Sequence, residues 1–328
     1  MPSVTMVQAL NEALRRALSE DDRVLVLGED VGRLGGVFRV TDGLQAEFGE
    51  NRVLDTPLAE SGIIGACVGL AMNGFQPVAE MQFSGFSYPA FEQIVSHCAK
   101  YRFRTRGRIN LPITIRIPSG GGIGAVEQHS ESPESYYVHT AGLKVVIPSN
   151  ASDAFTLLLQ SIADPDPVVF LEPMRRYWSQ EETDLTSGDL PGQLPLGRAR
   201  LARDGSDITI ITYGAQVPVA LEAAEQAAED DVSCAVIDLR SLAPLDMETV
   251  LDSVRATGRA LVVHEAPLTL GLGAEIAARA METAFYSLQA PVLRVGGFDV
   301  PYPPAKLEDA YLPDVDRVLD GVEELLRS

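Results

Sequence analysis

Short apolar runs alternate with longer helical patterns from one end of this chain to the other. That alternation restricts the fold more than any other feature of the sequence. A helical pattern at residues 4–19 leads into a buried-strand run at 23–27. Strand runs follow at 77–83, 112–117 and 168–171, separated by helical patterns at 89–100 and 153–163. A further helix is expected after Thr56-Pro57, because threonine caps helices and proline fits their first turn. Strands joined through helices pair in parallel, so the crossovers cover the sheet.

From residue 180 the pattern dissolves into QEETDLTSGDLPGQ, a polar stretch rich in glycine, proline and acids. Such composition marks an exposed connection. The alternation then restarts, with strands at 208–213, 233–239, 260–264 and 291–295 and helices at 217–229, 246–255 and 273–285. The expectation is an α/β chain of two parallel-sheet domains with helices on both faces. They would occupy residues 1–180 and 201–328, joined by a linker at 181–200.

Charge and composition exclude several functions. Acidic residues number 46 against 26 basic ones, a formal net charge of -20. That charge repels phosphate backbones and acidic lipid surfaces, so neither nucleic acid nor membrane is an expected partner. It serves solubility, or complements a partner with a basic docking face. The three cysteines, Cys67, Cys98 and Cys234, lie far apart without metal-ligand spacing and read as buried thiols in a reducing compartment. The opening MPSVTMVQAL lacks a basic start and a signal-peptide core, and the apolar run 62–74 is too short to span a bilayer. The expected location is cytoplasmic.

Several familiar motifs fall away. Gly120, Gly122 and Ala125 form a G-x-G-x-x-A string, but polar AVEQHSESPES follows where a dinucleotide site needs a helix. The string reads as a flexible loop close to a ligand or partner. None of His97, His129, His139 and His264 has zinc-protease spacing, and no P-loop or nucleophile elbow occurs.

Three segments remain. In DTPLAESGIIGACVGLAMNG, Glu60 precedes an apolar, glycine-rich helix that must be buried or packed on another subunit. The helix start favours its charged form and burial its protonated form. Glu60 lies four residues after Thr56, one more than a capping box allows. It is either an ordinary helix-start acid or a catalytic one. In AEMQFSGFSYPAFEQI, Phe83, Phe86, Tyr88 and Phe91 crowd a strand end, where parallel sheets bind ligands. They stack on a planar ring or fill core. In SGGGIGAVEQHSESPESYY, His129 sits in a polar glycine loop, as a proton donor or a surface histidine.

Together with GEDVGRLGGVFRVTDGL, HTAGLKVVIPS, DPDPVVFLEP, VIDLRSLAPLD, TGRALVVHEA and GFDVPYP, these segments span nearly the whole chain. In that order they resemble the beta subunits of thiamine-diphosphate-dependent 2-oxo acid dehydrogenases. The resemblance implies a transketolase-like pyrimidine-binding domain followed by a transketolase C-terminal domain. It matches Glu60 to the buried acid that hydrogen-bonds a nitrogen of the cofactor's aminopyrimidine. Phe86 matches the aromatic against that ring, and Gln82 lines the pocket. His129 matches the loop histidine that assists proton transfer and lipoyl reductive acylation.

The family's diphosphate motif, G-D-G followed by asparagine, holds magnesium and belongs to the alpha subunit. No Asp-Gly pair of this chain is preceded by glycine. The resemblance therefore implies a heterotetramer of two alpha and two beta chains, sharing the cofactor and serving a lipoylated acyltransferase core. It also places a potassium ion at Ile113, Ser161, Ile162, Asp164 and Asp166, where a helix end followed by Pro165 and Pro167 leaves carbonyls free; a hydrated turn is the plain alternative. Departures are Met174 after Glu172-Pro173, Glu131 in HSESPE, and Gly85 beside the stacking aromatic. The HSESPE and GFDVPYP segments lean toward a branched-chain 2-oxo acid, with pyruvate the alternative. Two rival classes are a self-sufficient transketolase-type enzyme and a non-catalytic scaffold docking an acyltransferase.

Overall fold

The computed structural model describes residues 2–185 and 193–328. Part of the expected linker, residues 186–192, lies outside the described residues. Two large sheets carry the fold. The first has seven strands, in the order Ser241–Ala243, Lys144–Val146, Val168–Pro173, Thr114–Ser119, Gln76–Glu80, Val24–Gly28 and Val53–Asp55. The second has five, in the order Leu293–Gly297, Ala260–Pro267, Ile208–Thr212, Cys234–Asp238 and Arg200–Arg203. Central strands such as VLVLG and ITIIT are buried at every position, as a sheet covered on both faces requires.

Pairing is parallel except at one edge of each sheet, where Ser241–Ala243 runs against Lys144–Val146 and Arg200–Arg203 against Cys234–Asp238. Ser241–Ala243 comes from the second half of the sequence yet finishes the first sheet. The polar stretch after residue 180 also holds order: Gln180–Glu182 pairs antiparallel with Ser3–Thr5. That pairing delays the first helix, which spans Met6–Glu20 and is closed by a capping box between Thr5 and Gln8. Its inner face of Met6, Leu10, Leu14 and Leu18 joins a core with Phe155 and Leu158 of the helix Ala151–Ala163. Each such side chain contributes about 1.5–3 kcal/mol by leaving water.

The pattern at 89–100 contains a π-helical segment, Gln93–Cys98. A C-terminal helix, Val315–Arg327, capped by Asp314, covers the second sheet through Val318, Val322 and Leu325. The halves share one core: Ile117 and Leu171 belong with Ile211, Ile237 and Leu272 to a single cluster. Polar contacts cross the same boundary, where Asp153 accepts from Arg240 at 2.9 Å and from Arg200 at 2.8 Å. All three cysteines are buried and free. Among the described residues, no helix is long and apolar enough to cross a membrane.

Candidate active site

Parallel pairing brings the carboxyl ends of Val24–Gly28, Val53–Asp55 and Gln76–Glu80 to one edge of the first sheet. Glu29 and Asp30 leave the first of these, the segment to Glu60 leaves the second, and Gln82 follows the third. The Thr56 amide donates to the Gly28 carbonyl at 2.9 Å, which ties the first two ends together. Thr56 does not cap the next helix: its hydroxyl is buried without a partner, Ala59 occupies the cap position, and the helix begins at Glu60 itself. The Thr56-Pro57 expectation thus placed the start too early, because an extended turn intervenes.

Glu60 is half-buried in the single chain, short of the full burial expected. The sealed acid is its neighbour Glu29, 8% exposed, with Oε1 buried and unpartnered. Burial first, then the charges of Glu60 and Asp30, push the Glu29 carboxyl up. Gln82 closes this corner, its Nε2 donating to Asp30 at 3.1 Å and to the Glu29 carbonyl at 3.3 Å.

The residue after Gln82 opens an aromatic cluster. Phe83 and Phe86 meet edge to face, their centroids 5.6 Å apart, and His129 lies 4.1 Å from Phe83 and 5.2 Å from Phe86. His129 ends a short turn, Glu127–His129, and its Nδ1 is buried without a partner. Gly85 lets this turn approach, since a Cβ there would lie 2.4 Å from the Gln128 carbonyl oxygen. The turn's closeness accounts for glycine at this position. The structure thus joins Phe86 with His129, Gln82 with Glu29, and Glu29 with Glu60.

Beneath the cluster lies a sealed ionic floor. Arg116 contacts Glu80 at 2.6 Å and pairs with Glu172, which also accepts from Tyr177 at 2.6 Å. Phe38 packs between Tyr177 and Phe83, with centroid distances of 4.7 and 5.5 Å.

Residues 120–124 do not cradle a diphosphate, because carboxylates of the same chain take their amides. Gly121 donates to Glu265 at 3.1 Å, and Gly122 and Gly124 donate to the two oxygens of Glu308, each at 2.9 Å. Sequence reasoning missed Glu29, Glu265 and Glu308. For Glu29 and Glu265 the available signal was an acid directly after or within a buried strand run.

At the proposed cation site the helix Ala151–Ala163 ends as expected. Its carboxylates already hold cations of the chain: Lys144 contacts Asp164 at 2.6 Å, and Arg102 contacts Asp166 at 2.6 Å. The Ile113 carbonyl accepts from Val168 at 2.9 Å, and the Ser161 carbonyl from Asp164 at 3.3 Å. Among the described residues, no cluster of three or more His, Cys, Asp or Glu is placed to hold a metal.

Comparison with known proteins agrees along the chain. The transketolase pyrimidine-binding domain matches residues 2–178 and the transketolase C-terminal domain residues 197–318. The 3-methyl-2-oxobutanoate dehydrogenase subunit beta of Mycobacterium tuberculosis is 59% identical over 326 residues, covering 99% of this chain and 92% of that protein. The pyruvate dehydrogenase E1 component subunit beta of Leifsonia xyli subsp. xyli is 56% identical over 324 residues, covering 99% and 95%. That of Bacillus subtilis is 46% identical over 329 residues, covering 99% of each. Among solved structures, a split-gene transketolase described as an inactive beta4 tetramer shares the fold, with TM-score 0.81, 24% identity, and 99% and 98% of the two chains covered. On these matches the chain belongs to the 2-oxo acid dehydrogenase E1 beta subunits, a family built from the transketolase pyrimidine-binding and C-terminal domains.

Proposed function

We propose that this chain supplies the pyrimidine side of a thiamine-diphosphate site shared with an alpha subunit, in an enzyme that decarboxylates a 2-oxo acid and passes the acyl group to a lipoyl arm. The observation that carries this reading is a pair of buried, unpartnered polar atoms at one sheet edge: Glu29 Oε1 beside Glu60, and His129 Nδ1 beside Phe86. Orphaned buried polar groups are costly and rare unless something binds there. A flat heteroaromatic ring with nitrogen donors and acceptors fits both corners.

The bound cofactor supplies the nucleophilic carbon and the electron sink; the chain's task is binding, orientation and proton handling. Glu60 would share a proton with a ring nitrogen, beside Glu29, whose carboxyl burial and the neighbouring acids push up. Phe86 would lie against the ring, and Gln82, held by Asp30 and the Glu29 carbonyl, would fix the corner beside it. His129 moves a proton during acyl transfer. The diphosphate and its magnesium fall to the alpha subunit, because no Asp-Gly pair here follows a glycine. The assembly is read as two alpha and two beta chains on a lipoylated acyltransferase core.

A branched-chain 2-oxo acid is the proposed substrate and pyruvate the second reading. Relatives with either name are close, at 59% and 56% identity. The potassium proposal, at Ile113, Ser161, Ile162, Asp164 and Asp166, now rests on neutral oxygens, since Lys144 and Arg102 satisfy the carboxylates. Neutral carbonyl and hydroxyl oxygens are hard donors, the kind that take a hard cation.

The test is reconstitution with an alpha chain carrying the diphosphate motif. Turnover is expected only from the pair, only with thiamine diphosphate and magnesium, and faster on 3-methyl-2-oxobutanoate than on pyruvate. Turnover by this chain alone would favour the transketolase-type enzyme, and an inert pair would favour the scaffold.

A further inference from the structure

Among the described residues, none from the second half takes part in the corners described above. Its contacts with the glycine loop suggest why it is there. The loop from Gly120 to Ser130 contains only one short turn of regular structure. Gly120, Gly122 and Gly124 adopt φ of +79°, +88° and +69°, a backbone region that glycine enters freely but does not hold by itself.

The second half supplies the restraint. Glu308 accepts from Gly122 through Oε1 and from Gly124 through Oε2, and Tyr302 donates to the same Oε1 at 2.6 Å. Glu265, buried in the second sheet and oriented by Gln216, accepts from Gly121. Past the loop, Glu134 is fully buried and accepts from Tyr213 at 2.7 Å. The bonds from Gly121, Gly122, Gly124 and Tyr213 cross between the first half and the second, while Tyr302 and Gln216 brace the second-half acids from their own side. His129 has no hydrogen-bond partner at Nδ1, so its placement depends on where the loop puts it.

We propose that the second half acts as a clamp on the His129 loop, with Glu308 as the positioning residue that aims the imidazole into the site. This rests on the reading of His129 as the proton-handling group. Glu308 touches neither His129 nor Phe86; it acts by fixing two amides five and seven residues upstream of the imidazole. A loop freed to sample other conformers would seldom present the imidazole in reacting geometry.

The experiment uses the reconstituted alpha-beta enzyme with Glu308→Ala, Glu308→Gln, His129→Ala and the double variant Glu308→Ala/His129→Ala. Two readouts are taken. One is hydrogen exchange of backbone amides over residues 119–131, with the strand Ile208–Thr212 as internal reference. The other compares acylation of a lipoyl domain with decarboxylation followed through an artificial electron acceptor.

Glu308→Ala should raise exchange over the loop and not in the reference strand. It should lower lipoyl acylation by about tenfold to a hundredfold, with a much smaller fall in decarboxylation. Glu308→Gln keeps Tyr302 and one amide within reach and should lie between the parent and Glu308→Ala. Adding Glu308→Ala to His129→Ala should cost nothing further. Unchanged loop exchange in Glu308→Ala overturns the clamp. An equal fall in both half-reactions reduces Glu308 to a structural residue and overturns the positioning role. Parental acylation by His129→Ala instead sinks the reading of His129, and the exchange data then show separately whether the loop is held.

Discussion

Arg116 and Glu172 grip each other through two hydrogen bonds, of 2.6 and 2.9 Å, on side chains closed to water. They project from adjacent parallel strands, and Glu80 on the next strand takes a third guanidinium contact. Burial pushes the Glu80 carboxyl up, while Arg116 opposes that shift. Removing one member leaves its partner charged and undersolvated. Glu172→Ala should therefore lower the stability of the chain by about 3–5 kcal/mol in denaturant unfolding. An unchanged midpoint would mean that water reaches Arg116, against its burial.

Glu60→Gln keeps shape and removes the shared proton. Turnover of the reconstituted pair should fall by roughly a hundredfold to ten-thousandfold, the range for a proton-transfer group. Binding of the alpha subunit, followed by sedimentation, should be unaffected. Parental turnover would remove Glu60 from the mechanism.

Gly85→Ala places a methyl 2.4 Å from the Gln128 carbonyl oxygen. The 127–129 turn must retreat, and His129 goes with it. We expect a loss of about tenfold or more in lipoyl acylation, as displacement of a reacting group costs. The thermal midpoint should move little, because the turn lies at the surface of the core. Full acylation would show that the turn yields without moving the imidazole.

His264 is buried in the second sheet, its Nδ1 donating to the Ala266 carbonyl and its Nε2 without a partner. Burial pushes its imidazole down to about 4, from 6.5. The fold therefore keeps it neutral, and below about pH 6.5 the unfolded chain binds the extra proton. Its contribution is complete above about pH 6.5 and is lost as pH falls toward about 4, by about 3 kcal/mol in total. Asp238, pushed up to about 7 by burial, tilts stability the other way, so the comparison must be between His264→Gln and the parent. The difference in their unfolding free energies should change with pH between about 4 and 6.5 and stay flat above. A difference independent of pH across that interval would contradict a neutral buried imidazole.

Much of the fold was legible because buried parallel strands announce themselves as unbroken apolar runs. VLVLG and ITIIT were found that way to within a residue at each end, and ALVVHEAP in its first five residues, its last three lying beyond the expected end at 264. Ser241–Ala243 was not, since three residues between an arginine and a proline carry no periodicity; only pairing with Lys144–Val146 makes them a strand. The C-terminal helix Val315–Arg327 was missed although its apolar spacing is regular. In the site, Phe86 and His129 were named from sequence and meet in space. Their supports were not named: an acid inside a strand run marks Glu265 but not its role, and Glu265 and Glu308 reach the loop across 144 and about 185 residues of chain. Glu29 directly follows a buried strand run, but the desolvation beside another acid that gives it weight is a matter of three-dimensional packing.

Ser241–Ala243 sets a schedule for biosynthesis. The edge strand Lys144–Val146 stays bare until residue 243 has emerged from the ribosome, long after the rest of its sheet has been made. A nascent chain that stalls before then presents an unpaired edge to its neighbours on the polysome, where strand-to-strand association begins.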